Sequence, residues 1–193
     1  IDREHAEVLV RAVHQPVVDE LRRRGAPYHG VLYAGLMLTV DGGPSVLEFN
    51  CRFGDPETQA VLPRLRSDLL ELLYASTRES GLEGIEPEWS PQWAVTVVLA
   101  SRGYPASSSK GDLIQGLDAV DSLEVEVLHA GTAERAGAVV TAGGRVLNVT
   151  GLGDTPAEAR DRAYAAAQRI GFDGKQMRTD IAARAVEKVG VRA

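Results

Sequence analysis

The chain has 193 residues, with 21 Lys and Arg against 27 Asp and Glu, and a formal net charge of −6. That length fits one large domain or two small ones, and 44% hydrophobic with 25% charged residues excludes wholesale disorder. An acidic chain whose only basic run is Arg22-Arg23-Arg24, a solvated helix end, argues against nucleic acid or an anionic membrane as the main partner.

The one cysteine, Cys51, excludes an intrachain disulfide framework and fits a reducing compartment, so a cytoplasmic protein is expected. The longest apolar runs, Val31–Leu38 and Trp93–Ala100, fall far short of the ~20 residues of a membrane span. The opening Ile1-Asp2-Arg3-Glu4-His5 lacks the charged-then-apolar order of a signal peptide. It also lacks Met and reads as mid-helix, so the expectation is a chain that begins inside a larger protein.

In chain order, Ala6, Leu9, Val13, Val17 and Leu21 form one helical stripe, which Pro16 is expected to kink and Gly25 to end. Val31–Val40 is too continuous for a half-exposed strand, so a strand covered on both faces is expected. Asp41-Gly42-Gly43-Pro44 reads as a turn and Ser45–Asn50 as the returning strand of a hairpin. Asp55-Pro56 is expected to start a helix, with Asp55 as its cap, that Pro63 cuts short; Ser67 is expected to cap the next. Residues 79–91, rich in Gly, Pro and Glu, are the expected domain boundary.

Beyond it the pattern turns β-rich. Gln92–Ser101 and Leu123–His129 read as strands, and Ala138–Thr141 with Arg145–Thr150 as a hairpin around Ala142-Gly143-Gly144. Thr155-Pro156-Ala157-Glu158 is a capping box opening a helix to about Ile170. A last short helix is expected from Thr179 through Val189.

Walker-type loops, His-Glu-x-x-His and Gly-x-Ser-x-Gly are all missing. Gly151-Leu152-Gly153 lacks the third glycine of a dinucleotide fingerprint and reads as a strand-to-helix turn. His5, His14, His29 and His129 have no ligand at zinc spacing.

The informative run is Leu47-Glu48-Phe49-Asn50-Cys51-Arg52-Phe53-Gly54-Asp55-Pro56-Glu57-Thr58-Gln59. Strand alternation puts Glu48, Asn50 and, if the strand reaches it, Arg52 on one face, with Phe49, Cys51 and Phe53 in an apolar layer behind. Carboxylate and amide oxygens suit Mg²⁺, which takes few protein ligands and fills its shell with water and phosphate. A guanidinium suits a phosphate or carboxylate. Together they are the minimal set for nucleotide-driven phosphoryl transfer. Glu48-x-Asn50-x-Arg52 alone fits a polar solvent face as well; the unbroken run to Gln59 is what favours chemistry.

Through this run the sequence resembles the phosphoribosylamine–glycine ligase family of ATP-grasp enzymes. The resemblance extends over Gly30–Leu36, Gly103-Tyr104-Pro105, Gly111-Asp112, His129-Ala130-Gly131-Thr132 and Gly143–Leu147. It implies an α+β fold. Residues 1–80 would end an ATP-grasp catalytic domain, and residues 91–193 would form a small β-rich, barrel-like domain with a packed helix.

The activity implied is ATP-dependent ligation of glycine to 5-phosphoribosylamine through glycyl phosphate in purine synthesis, with the amino-terminal domains of the same enzyme as partner. The cofactors implied are ATP and Mg²⁺, with Mn²⁺ as a substitute. Glu48 and Asn50 match the metal ligands, Arg52 the catalytic and substrate-binding arginine, and Asp55 a substrate-binding carboxylate. Leu47 is either a core leucine or an adenine contact. Tyr33-Ala34-Gly35-Leu36 lacks the extra metal carboxylate that many ATP-grasp enzymes carry there, so the metal site leans on Asn50. Glu48 and Asn50 alone would also suit another ATP-grasp ligase or carboxylase, or a non-catalytic binding or assembly module.

Overall fold

The structure is a computed structural model that describes residues 2–40, 43–120 and 124–190. The chain packs as two units, one of Ile1–Asp55 with Ser67–Pro87 and one of Pro56–Arg66 with Glu88–Ala193.

In the first unit, Asp2 accepts a hydrogen bond from the His5 backbone N–H and opens α1 (Arg3–Leu9). A π-helical segment, Val10–His14, follows and leads into α2 (Gln15–Arg23). The disturbance expected from Pro16 therefore takes the form of a widened turn before it, in which Gln15 N–H reaches back to Val10 O. At the other end Gly25 (φ +76°) donates to Arg22 O and Ala26 to Leu21 O, a Schellman closure that uses glycine's freedom at positive φ. Arg22, Arg23 and Arg24 are exposed in the last turn, as expected, and Glu20 pairs with the latter two.

β1 (Tyr33–Leu38) and β2 (Pro44–Asn50) form an antiparallel ribbon. Of the expected turn, Asp41 and Gly42 lie outside the described residues; Thr39 N–H donates to Gly43 O across it. The expectation of a strand covered on both faces is overturned. Tyr33–Leu36 are half-buried, whereas Met37 is 56% and Leu38 40% exposed, and among the described residues the sheet has two strands only. The helix Leu69–Ser76 (α4) is capped by Asp68, which accepts from Glu71 N–H, rather than by Ser67.

In the second unit, α3 (Thr58–Val61) starts after a turn at 55–57 instead of at Pro56, with Glu57 before it. Pro63 sits in the 3₁₀ turn Leu62–Arg64 that ends it, as expected. The main sheet has the order β3-β7-β4, all antiparallel, from β3 (Trp93–Ala100), β4 (Val125–His129) and β7 (Arg145–Gly153). Leu123, expected to begin the β4 strand, lies outside the described residues.

Alternation sends Val95, Val97, Leu99, Leu147 and Val149 to one face. There they meet Ala159, Ala163, Ala166 and Ala167 of α5 (Pro156–Arg169) and Ile170, which follows it. Each fully buried Val or Leu contributes about 1.5–3 kcal/mol. The opposite face carries Thr96 and Thr150, whose hydroxyl oxygens lie 2.6 Å apart, and Thr150 donates onward to Gln59 O in α3.

β5 (Thr132–Arg135) and β6 (Ala138–Thr141) pair with each other. The expected hairpin of β6 with β7 does not form. Ala142 N–H donates to Gly131 O and Gly131 N–H to Arg145 O, so the segment 142–144 passes the chain from one sheet to the other. The second unit is thus β-rich with a packed helix, but among the described residues its sheets are open and no barrel closes. α6 (Ala183–Gly190) begins later than Thr179, because Arg160 takes the Thr179 and Ile181 carbonyls and Tyr164 the Arg178 carbonyl, holding that stretch on α5. No helix of the described residues is long and apolar enough to cross a membrane.

The capping box holds as expected: Glu158 N–H donates to Thr155 Oγ1, and the Glu158 carboxylate accepts from Asp154 N–H. Gly151 and Gly153 end β7 directly beneath α5. A Cβ on Gly151 would lie 2.4 Å from Ala159 O and 2.7 Å from Ala163 N. Gly151→Ala should therefore destabilise the chain by about 1–3 kcal/mol in urea unfolding, as overpacking does; an unchanged midpoint would show that helix and sheet are not in this contact.

Asp112 takes hydrogen bonds from the Ser109 and Thr141 hydroxyls. The Ser109 bond first, and then Thr141 and the Arg102 charge, hold its carboxyl below the usual aspartate value against the opposing effect of burial. Its folded pKa is depressed, so its contribution is complete above the unfolded pKa of ~3.9 and fades as pH falls through the folded value. Urea midpoints taken downward from about pH 5 should fall further for the parent chain than for Asp112→Asn; parallel curves would refute this.

Candidate functional site

β2 places the candidate residues through its register with β1. Tyr33 pairs with Asn50 and Gly35 with Glu48, and a bulge after Gly35 leaves Leu47 unpaired before Leu36 meets Val46. Glu48 and Asn50, two residues apart on one strand, project from the same side. The Asn50 amide Nδ2 donates to Glu48 Oε1 at 3.0 Å, so a carboxylate and a carboxamide sit together at the strand's end.

Arg52 is not brought onto this face by the strand, because β2 ends at Asn50 and residues 51–52 form a bend. Its Nη1 donates to the Phe53 carbonyl at 2.7 Å. Asp55 follows buried Gly54 and stands exposed at the turn before α3. The apolar layer expected from Phe49, Cys51 and Phe53 is likewise corrected. Cys51 is exposed, Phe53 is half-buried, and Phe49 keeps one edge-on contact, to His14 with ring centroids 6.3 Å apart. Leu47 is 65% exposed and so is not a core leucine of this chain. Tyr28, whose hydroxyl donates to Val31 O, is held above the usual phenol pKa by burial and then by its hydrogen-bonded neighbour Cys51.

The donor set can be tested against a divalent ion from its chemistry. Among the described residues no cluster of three or more His, Cys, Asp or Glu forms a cage for a metal. Two hard oxygens, one from Glu48 and one from Asn50, fit Mg²⁺, which keeps most of its shell for water and phosphate; a site for zinc would need more and softer ligands. The residue that sequence reading passed over is Gly35, the partner of Glu48 across the ribbon. The signal was a glycine inside an otherwise apolar strand, which marks a bulge or a close approach.

Two family models match the chain. Residues 1–58 match the family model for the phosphoribosylglycinamide synthetase ATP-grasp (A) domain, and residues 94–184 match that for the C domain. Phosphoribosylamine–glycine ligase of Streptomyces coelicolor is 54% identical over 188 residues, which are 95% of this chain and 45% of that protein. The Neisseria meningitidis serogroup B enzyme of the same name is 50% identical over 94% of this chain and 43% of its own length. A crystal structure of phosphoribosylamine–glycine ligase from Thermotoga maritima superposes with a TM-score of 0.68 at 39% identity, covering 83% of this chain and 39% of that one.

The chain therefore spans under half the length of these relatives. ATP use with a divalent metal is what an ATP-grasp family implies. The chain belongs to the phosphoribosylamine–glycine ligase (phosphoribosylglycinamide synthetase) family, with both its ATP-grasp and its C-domain sequence represented.

Proposed function

We propose that this chain forms part of an enzyme that joins glycine to 5-phosphoribosylamine at the expense of ATP, in the cytoplasmic synthesis of purines. The observation that carries the reading is the Glu48–Asn50 pair, 3.0 Å apart at the end of β2, in a chain of this family. Residues 1–80 are assigned to the closing part of the catalytic domain and residues 91–193 to the smaller domain, supported by the matches at 1–58 and 94–184. The partner is the rest of the same enzyme. The exposed apolar residues of the ribbon, Met37, Val46, Leu47 and Phe49, support a further layer there, since monomeric proteins seldom leave such a patch open.

In this reading a glycine carboxylate oxygen takes the γ-phosphoryl group of ATP, releasing ADP. The amine nitrogen of phosphoribosylamine then attacks the acyl carbon, inorganic phosphate leaves with the C–O bond electrons, and the nitrogen loses a proton to give the amide. Glu48 and Asn50 would hold Mg²⁺, which supplies charge neutralisation at the phosphate oxygens. Arg52, released from Phe53 O, would steady charge on the transferred phosphoryl group, a preorganised electrostatic role. Asp55 would orient the substrate by accepting a hydrogen bond, and Leu47 would lie against the adenine.

The complete polypeptide should release ADP only when glycine and phosphoribosylamine are both supplied; turnover without glycine would contradict the proposal. Glu48→Gln removes one ligand charge and should raise the Mg²⁺ concentration for half-maximal rate by on the order of tenfold or more. Unchanged magnesium dependence would remove Glu48 from the metal site.

A further inference from the structure

We infer that Gly35 is a positioning residue for the Glu48 carboxylate: the missing side chain on β1 is the space across which Glu48 lies to reach Asn50. This rests on the reading of Glu48 as a metal ligand. Gly35 stands directly opposite Glu48 in the β1–β2 register. A Cβ built on it would lie 3.2 Å from Glu48 Cγ, tight enough that one of the two must move.

Glycine weakens a strand interior, and Gly35 is not among the glycines at positive φ, so backbone conformation does not require it. Space does. The bulge on the neighbouring residue acts in the same direction. Leu47 is left unpaired just before Glu48, and bulges of this kind re-aim the side chain beside them. Bulge and glycine together direct Glu48 to the 3.0 Å contact with Asn50 Nδ2. A methyl group at position 35 would displace Glu48 Cγ by a few tenths of an ångström or turn its side chain to another rotamer, and either change moves the Glu48 carboxylate relative to the Asn50 side chain.

The test is a Mn²⁺ titration followed by electron paramagnetic resonance, on the complete polypeptide with a non-hydrolysable ATP analogue. It compares the parent with Gly35→Ala, Glu48→Ala and the double variant, and thermal melting is recorded for each. Gly35→Ala should weaken Mn²⁺ binding by about tenfold, the scale on which residues that orient ligands act, without lowering the melting midpoint. In the Glu48→Ala background the same substitution should change binding by less than about twofold, because the group it displaces is gone.

Parent-like binding by Gly35→Ala, alongside weakened binding by Glu48→Ala, overturns the role of Gly35 and leaves the metal reading standing. Equal losses from Gly35→Ala in both backgrounds make it a general distortion and also overturn it. Parent-like binding by Glu48→Ala overturns the metal reading itself.

Discussion

A β-strand sends every second side chain to the same side, and that period of two is the constraint on which the candidate site depends. Because β2 runs through Asn50, Glu48 and Asn50 share a face and come within hydrogen-bond distance of each other. A shift of one residue in the pairing of β1 with β2 would turn both away together. The register is marked locally by the bulge at Leu47 and by Gly35, which leaves room for Glu48. Met37, Val46 and Leu47 of the ribbon are exposed, and its polar pair is joined by one hydrogen bond.

The second unit is built on the opposite balance. β7 is flanked by strands on both sides and covered by α5, and Gly151 and Gly153 at its end leave room where α5 comes too close for a side chain. Small residues on the helix (Ala159, Ala163, Ala166 and Ala167) make the same approach from the other direction. Hydrogen bonds from Arg160 and Tyr164 then bind the following segment to the outside of α5. Buried hydrocarbon gives this unit a core of its own.

Much of this arrangement could be read from local sequence, wherever the determining chemistry is itself local. The capping box at Thr155, the glycine closure after α2 and the short helix before Pro63 each depend on neighbours within a few residues. Pairing between distant segments was not legible. The hairpin expected around Ala142-Gly143-Gly144 has suitable turn residues, yet β6 pairs with β5 and β7 with β3 and β4. Burial of the ribbon failed for a related reason. A continuous apolar run states that a strand can be covered, and only a second layer covers it. At the site, alternation alone gave the Glu48–Asn50 pair, whereas Arg52 fell beyond the strand's last residue and followed the bend instead. For Gly35 the sequence offers only a glycine within an apolar strand, because what it does is leave space opposite a residue distant in sequence.

The central claim is that Glu48 and Asn50 supply two oxygens to one divalent ion. A crystal structure of the complete polypeptide with Mg²⁺ and a non-hydrolysable ATP analogue tests it most directly. A single ion is expected with a Glu48 carboxylate oxygen and Asn50 Oδ1 both at about 2.0–2.1 Å, the remaining positions filled by phosphate and water. An ion bound to the nucleotide with neither residue in its shell would contradict it.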